Sequence, residues 1–477
     1  MEVGSFIDLV RQRTDALDIA QLKASGLLPL HNLHYRALYY PPSKFYTITS
    51  PANSEEEIFK GLVYRGNPPL VVYIHIPFCP QKCMFCYFLT YVDSSERQID
   101  QYLDYLEKEF ALWQARLETK ISPHALFIGG GSPTFLSCRQ LERLLTIANN
   151  GLNFFACKEF TVEAEPGTLA GIEGSRKLDI LKNHGVNRIC LGVQSFNDEI
   201  LRAMGRHHTV SHSKDAIQQI KNKKFQSICI DLLYGFPGIT LEMWIQDLLE
   251  AHTLDVDGYE LYRLRIVPHG YGKAQIRQYY ENNKHLFPDL NMTCFQKMSA
   301  KVIASHHGFQ EYYRMFFSRN QQYNPIYQLG RTQNLYDTIG LGISASSVLQ
   351  GRYMENTSQS LEHYYSFIEK GRLALDRGRI RTSDDNQRRA FVLPLKHCGI
   401  NKTQYQKNTG LSIQELFGAR IEKLKKYGLI EDKDGAIVLT EKGSIFADEV
   451  VTQFYAPEYL PFPKSDYPAG ELSPYND

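Results

Sequence analysis

The sequence predicts an α/β protein: a partial (β/α)6 barrel with an N-terminal extension and a C-terminal winged-helix-like domain. Three observations predict it. From Pro69 onward short apolar runs alternate with helical patterns, as parallel strands joined by crossover helices do. Six runs qualify as strands: VVYIHI from Val71, ALFI from Ala125, FTVEA from Phe160, NRICLG from Asn187, SICIDLLYG from Ser227 and GYELYRLRIV from Gly258. From about Ser383 the pattern changes to helix, hairpin and helix. The chain of 477 residues, 43% hydrophobic, can bury one large core and a smaller one or two.

The division expected is an extension over 1–55, the barrel over 56–290, an α+β region completing the active site over 291–380, and the winged-helix-like domain over 381–477. The extension holds a helix and a Pro- and Tyr-rich run, HYRALYYPPSKFYTITSPAN. Between the first two strands Ile99, Leu103, Leu106, Phe110 and Trp113 recur at helical spacing behind an expected Asp93–Glu96 capping box. A second box, Ser137 to Gln140, opens the next helix, and a third, Ser412 to Glu415, opens a helix that stops at Gly428. LIEDKDGAIVL reads as a hairpin with an Asp-Gly turn, and a last helix follows Thr440.

Lys and Arg number 53 against 52 Asp and Glu, so no global field draws nucleic acid or an anionic membrane. The winged-helix-like region carries an ordinary charge on its recognition helix (Arg420, Lys423, Lys425, Lys426), and a lid or docking role is expected there before DNA binding. The first thirty residues lack the apolar run of a signal peptide and no uncharged stretch is long enough to span a bilayer, so a cytoplasmic location is expected.

Six of the nine cysteines are scattered singly, as small buried thiols usually are. The other three, Cys79, Cys83 and Cys86, fall within IHIPFCPQKCMFCYF directly after the first strand. Ligands in parallel α/β folds sit at the C-terminal ends of strands. Three thiolates on a four-iron cubane leave one iron open to a small chelating ligand. The alternative is a zinc loop with His75 as fourth ligand.

The C-x3-C-x2-C spacing resembles that of the radical S-adenosylmethionine (SAM) superfamily. With GGGSPTFL, VEAEP, GVQSFN and IDLLYGFP in order, the chain from Pro69 on resembles the oxygen-independent coproporphyrinogen III oxidase-like branch. The resemblance implies a [4Fe-4S] cluster on the three cysteines, with the amino and carboxylate groups of SAM on the open iron. It also implies reductive cleavage to a 5′-deoxyadenosyl radical and a low-potential donor of the flavodoxin or ferredoxin kind. It places Tyr73 and Phe85 beside the cofactor. Gly130 and Gly131 follow the second strand, where glycine lets backbone approach a ligand. Glu163 is an acid in an apolar strand, which calls for a cation; the family pattern makes that the methionine ammonium, with Arg206 nearby. Gln194 and Asp231, at later strand ends, suit ribose hydroxyls.

Departures narrow the branch. The oxidases carry a further cysteine two positions after the third ligand, where this chain has Phe88. The heme-chaperone relatives share an aromatic there, but their His-Asn-x-x-Tyr-Trp segment is replaced by TQNLYDT. Family residues for a second SAM map onto Leu233, Tyr327, Gln328 and Ser346, of which Tyr327 and Gln328 keep the aromatic-plus-amide type. The reading taken from these features is a two-SAM enzyme transferring a methyl or methylene group to an sp2 carbon. Coproporphyrinogen III oxidase and a heme-binding chaperone without turnover are the alternatives. Alternation along GYELYRLRIV sends Arg263 and Arg265 to one face, where two guanidinium groups would clamp a substrate carboxylate.

Overall fold

The computed structural model describes residues 3–43, 47–48, 54–64, 69–266 and 275–476. Val267, the end of the sixth expected strand, and residues 44–46 and 49–53 of the Pro- and Tyr-rich run lie outside them.

All six expected strands form. After helix α1 (Val3–Asp15) and a two-residue strand β1 (Thr47–Ile48), they are β2 (Leu70–Ile76), β3 (Pro123–Gly130), β4 (Glu159–Ala164), β5 (Arg188–Gln194), β6 (Ser227–Tyr234) and β7 (Gly258–Arg263). They pair in parallel in that order. The sheet is larger than the sequence indicated. Beyond β7 it continues through β8 (Gln310–Tyr313) and β9 (Phe316–Ser318), and beyond β2 through β10 (Asp337–Leu341), β11 (Ser346–Leu349), β12 (Arg352–Asn356) and β13 (Leu375–Ile380). Strand β10 runs parallel to β2, and β11 to β13 follow it antiparallel.

Alternation sorts each barrel strand into two layers. Leu70, Val72, Ile74 and Ile76 join the main core with Leu103, Leu106, Phe110 and Trp113 of α2 (Glu96–Leu117). Val71, Ala125, Phe127 and Tyr327 form a separate cluster on the inner face. Helix α2 is capped by Ser95, whose side chain accepts from the Gln98 N–H; Asp93 has φ 55° and lies outside the helix, which corrects the expected Asp93–Glu96 box. The Ser137–Gln140 and Ser412–Glu415 boxes form as expected.

Near the C-terminus β14 (Ile400–Asn401), β15 (Ile430–Lys433) and β16 (Ala436–Leu439) make a three-stranded sheet with β16 central. Asp434 and Gly435, at φ 50° and 76°, make its hairpin turn.

The N-terminal extension acts as a strap. Asn32 takes Arg263 on its backbone oxygen and Oδ1, Ala37 donates its N–H to Asp448 at 2.8 Å and accepts from Lys396 Nζ at 2.9 Å, and Tyr40 accepts from Tyr353. These bonds join residues 32–40 to β7, to β12 and to the C-terminal region.

A buried acid ties the β10–β11 turn to the barrel. Glu109 of α2 accepts from Gly342 N, Asn356 Nδ2 and Tyr364 Oη, each at 2.7 Å, and burial pushes it up to about 7. Tyr102, two turns earlier, donates to His75 O and accepts from Ile343 N. Gly342 sits at φ 94°, and a side chain there would collide with the Tyr102 hydroxyl. Glu109→Ala, which strands three buried donors, is expected to cost about 3 kcal/mol, read as a lowered denaturation midpoint. An unchanged midpoint would show that this knot does not hold the turn.

Candidate active site

The loop after β2 folds back on itself: Cys79 N donates to Tyr91 O at 3.1 Å and Tyr91 N to Pro77 O at 2.8 Å. Met84 N reaches Met204 O, and Cys86 N reaches Cys83 O. Cys79, Cys83 and Cys86 are left half-buried on one loop. Burial first, then the neighbouring sulfurs, push the Cys79 thiol up, and burial pushes up Cys86. Such thiols ionise together only where positive charge reaches them. Arg206 supplies some: its guanidinium donates to Cys83 Sγ at 3.2 Å and to Gly192 O at 2.8 Å.

Arg206 is itself held by groups that the sequence did not single out. Glu165 lies 3.8 Å from it and contacts His208 Nδ1 at 2.6 Å. Burial opposes ionisation of Glu165, yet the His208 hydrogen bond and the Arg206 charge outweigh it and hold its carboxyl below the usual range. The available signal was the spacing of Glu163 and Glu165 in VEAEP, together with a histidine two residues after Arg206.

The glycines after β3 have steric reasons. Gly131 N bonds Ile76 O, and a Cβ on Gly131 would stand 3.0 Å from Cys79 Sγ. Gly130, at φ 114°, leaves no room for a side chain: a Cβ would stand 2.5 Å from the His75 ring. Its N–H donates to Glu163 Oε2 at 2.9 Å, and a side chain on Gly129 would collide with that same oxygen. Gln194, at φ 69°, ends β5 beneath the loop. His75 takes its Nδ1 to Tyr73 Oη at 3.0 Å, and burial lowers it to about 4. Among the described residues no three His, Cys, Asp or Glu gather tightly enough for a single metal ion.

The barrel interior is acidic. Glu163 is pushed up to about 7 by burial. Asp231 is raised by burial and then by Cys190, Glu260 and Glu163. Arg36 of the strap answers Glu260 at 3.4 Å, with its guanidinium 5.0 Å over the Tyr262 ring. An interior with three close carboxylates suits a ligand that carries positive charge, as the sulfonium and ammonium of SAM do.

The second group of residues is dispersed. Tyr327, 2% exposed, stacks on Phe127 at 4.9 Å and lies 6.5 Å from the Tyr73 ring. It belongs to α3 (Ile326–Thr332), whose first N–H groups are capped by Glu159. Gln328 follows it with its carbonyl bonded to Thr332. Leu233 is buried beside Tyr262, and Ser346 opens β11, two strands from β2 in the sheet. Phe85 is half-buried against the core. The expected clamp does not form. Strand β7 ends at Arg263, which faces outward with Leu261 and bonds Asn32; Arg265 lies past the strand, 5.3 Å over the Tyr87 ring.

Residues 73–251 match the radical SAM superfamily and residues 388–446 the HemN C-terminal domain. The heme chaperone HemW of Bacillus subtilis is 30% identical over 389 residues, 80% of this chain and 98% of that one. The chain belongs to the radical SAM superfamily. Within it lies the branch of HemN and HemW. The oxygen-independent coproporphyrinogen III oxidase of Salmonella typhimurium is 28% identical over 81% of this chain and 86% of that one. The solved structure of HemN from Escherichia coli, a coproporphyrinogen III oxidase, superposes with TM-score 0.73 at 25% identity, covering 89% of this chain and 99% of that one.

These relatives correct the expected methyl or methylene transfer: similarity over 80–89% of this chain runs to oxidases and heme chaperones, and the methyltransferase reading is not supported. Radical SAM membership carries SAM and a [4Fe-4S] cluster with it in general. Three thiols beside a guanidinium, over an acidic interior, fit both groups. Among the described residues no helix is long and apolar enough to cross a membrane.

Cys79→Ala, Cys83→Ala and Cys86→Ala are each expected to lose nearly all iron after anaerobic reconstitution; full iron in one of them would remove that ligand. Glu163→Gln is expected to keep the iron and weaken SAM binding about tenfold, measured by anaerobic equilibrium dialysis. Wild-type affinity would count against its role.

Proposed function

We propose that the protein is an oxidoreductase of the coproporphyrinogen III oxidase type, which converts a substrate propionate to a vinyl group with release of carbon dioxide. The observation that carries this reading is the correspondence with HemN, which covers 89% of this chain and 99% of that one. Cys79, Cys83 and Cys86 would hold the cluster, and the chemistry it would supply when reduced is one-electron cleavage of SAM to a radical that removes one hydrogen atom from the propionate; loss of carbon dioxide to leave the vinyl group then releases one further electron to an external one-electron acceptor. Gly130, Glu163, Gln194 and Asp231 would orient SAM, and Arg206 would hold the Cys83 sulfur. A second SAM beside Tyr327 and Gln328, and a low-potential flavodoxin or ferredoxin-like donor, belong to the same proposal.

This chain's own residues favour a carboxylate-bearing substrate. Arg265 is half-buried, its Nε has no hydrogen-bond partner among the described residues, and it lies over Tyr87, one residue past the third cysteine. A guanidinium in that position suits a carboxylate. Tyr73, Phe127, Tyr262 and Tyr327 wall the interior and exclude water from a reacting carbon.

A heme chaperone is the second reading, supported by the 30% identity to HemW and by Phe88, which is 53% exposed with its ring 6.4 Å from His75. Against it, the TQNLYDT segment is taken up structurally: Tyr336 N closes on Gly330 O and Asp337 starts β10.

Anaerobic, reconstituted protein given SAM, a low-potential reductant and carboxyl-labelled coproporphyrinogen III is expected to release labelled carbon dioxide. Arg265→Gln is expected to raise KM about tenfold. Heme binding at one per chain with no release of label would favour the chaperone.

A further inference from the structure

A second polar cavity, of about 40 Å3, lies on the outer side of the barrel, enclosed by the strap, the end of β7, helix α4 (Leu290–His306) and the segment Ile445–Glu449. About 10–15 Å3 of such space holds one water, so there is room for more than that.

Its charges do not balance. Lys396 pairs with Asp448 at 2.5 Å, Arg314 with Glu311 at 2.5 Å, Lys301 with the same Glu311, and Arg36 with Glu260 at 3.4 Å. Arg263 and Lys297 have no carboxylate within ion-pair distance among the described residues. Arg263 donates to the two oxygens of Asn32, and Lys297 donates to Ile445 O at 2.7 Å. The other acid on the wall is Glu449, whose pKa is raised by burial and then by Asp448. Of the groups that line the cavity, five cations, Arg36, Arg263, Lys297, Arg314 and Lys396, thus stand against two carboxylates, Asp448 and Glu449, while Glu260 and Glu311 answer Arg36 and Arg314 from outside the lining. Two buried imidazoles on the same wall, His34 and His397, each leave Nδ1 without a hydrogen-bond partner.

Two unanswered cations in a partly desolvated cavity are costly unless an anion joins them. Burial lowers Lys297 to about 8. The ligand that closes the balance is small, oxygen-rich and doubly negative, able to take hydrogen bonds from a guanidinium, an ammonium and imidazole N–H groups at once. We propose that the cavity binds a tetrahedral dianion of the phosphate or sulfate class, held by Arg263, Lys297 and His34. Bound there, it fastens the strap and the segment Ile445–Glu449 to the outer face of the barrel. The site is separate from the SAM site, so it stands or falls independently of the proposed reaction.

The test uses the full-length reconstituted protein, without SAM, at pH 7 and constant ionic strength. Equilibrium dialysis with labelled phosphate is expected to show one phosphate per chain, displaced by sulfate and not by chloride. The midpoint of thermal unfolding is expected to rise saturably with phosphate against a chloride control. Lys297→Met is expected to weaken phosphate binding about tenfold while iron content and SAM binding stay at wild-type levels. Arg263→Gln is expected to do the same and serves if the first variant fails to fold. No saturable phosphate binding by the wild-type protein, or binding unchanged in a folded variant, would overturn the proposal.

Discussion

The interaction on which the site depends is the contact of the Arg206 guanidinium with the Cys83 sulfur at 3.2 Å, which brings positive charge to a half-buried loop of three sulfurs. That contact fixes more than a charge. The same guanidinium holds the Gly192 carbonyl at the end of β5 and stands against Glu165, which leads out of β4. One side chain therefore sets the cysteine loop over the ends of two barrel strands. Glu165 is in turn held by His208, so the arrangement has a second layer that keeps the arginine from turning away.

Beneath the loop the parallel register does the positioning. Ile76 pairs with Gly130 and Glu163 with Cys190, so the glycine bend, the acid of β4 and the end of β5 arrive close under the sulfurs. The glycines are required because the space their side chains would fill holds Cys79, His75 and Glu163. The interior below is rich in carboxylates and aromatic rings and poor in cations. Such a chamber suits a cationic cofactor at its upper end, with an apolar wall for the substrate. The strap is the exception, delivering Arg36 to Glu260 from nearly 230 residues earlier in the chain.

Much of this was legible in the sequence, and the limits have physical causes. The six barrel strands were readable because buried parallel strands are short apolar runs between helical patterns. The cysteine loop was readable because three thiols in eight residues are rare without a shared ligand. Strands β8 to β13 were missed because their partners are remote: β10 finds β2 across more than 260 residues. Glu109 was invisible because a lone acid in an amphipathic helix reads as solvated, and only the fold brings Gly342, Asn356 and Tyr364 to it. The Arg263–Arg265 clamp failed because strict alternation holds only while the strand lasts, and β7 ends at Arg263. Methyl transfer rested on a few positions, Phe88 and the Tyr327–Gln328 pair, where similarity over 80–89% of the chain points to the oxidases and chaperones.

The central claim is that the Cys79–Cys86 loop and the acidic chamber under it serve one cofactor pair, with SAM bound directly against the cluster. Electron paramagnetic resonance of the dithionite-reduced protein, recorded with and without SAM, tests this most directly. The account predicts a cluster signal that changes when SAM is added to the wild-type protein, and a much weaker change at the same SAM concentration in Glu163→Gln. An intact cluster signal that SAM leaves identical in the wild-type protein would contradict it.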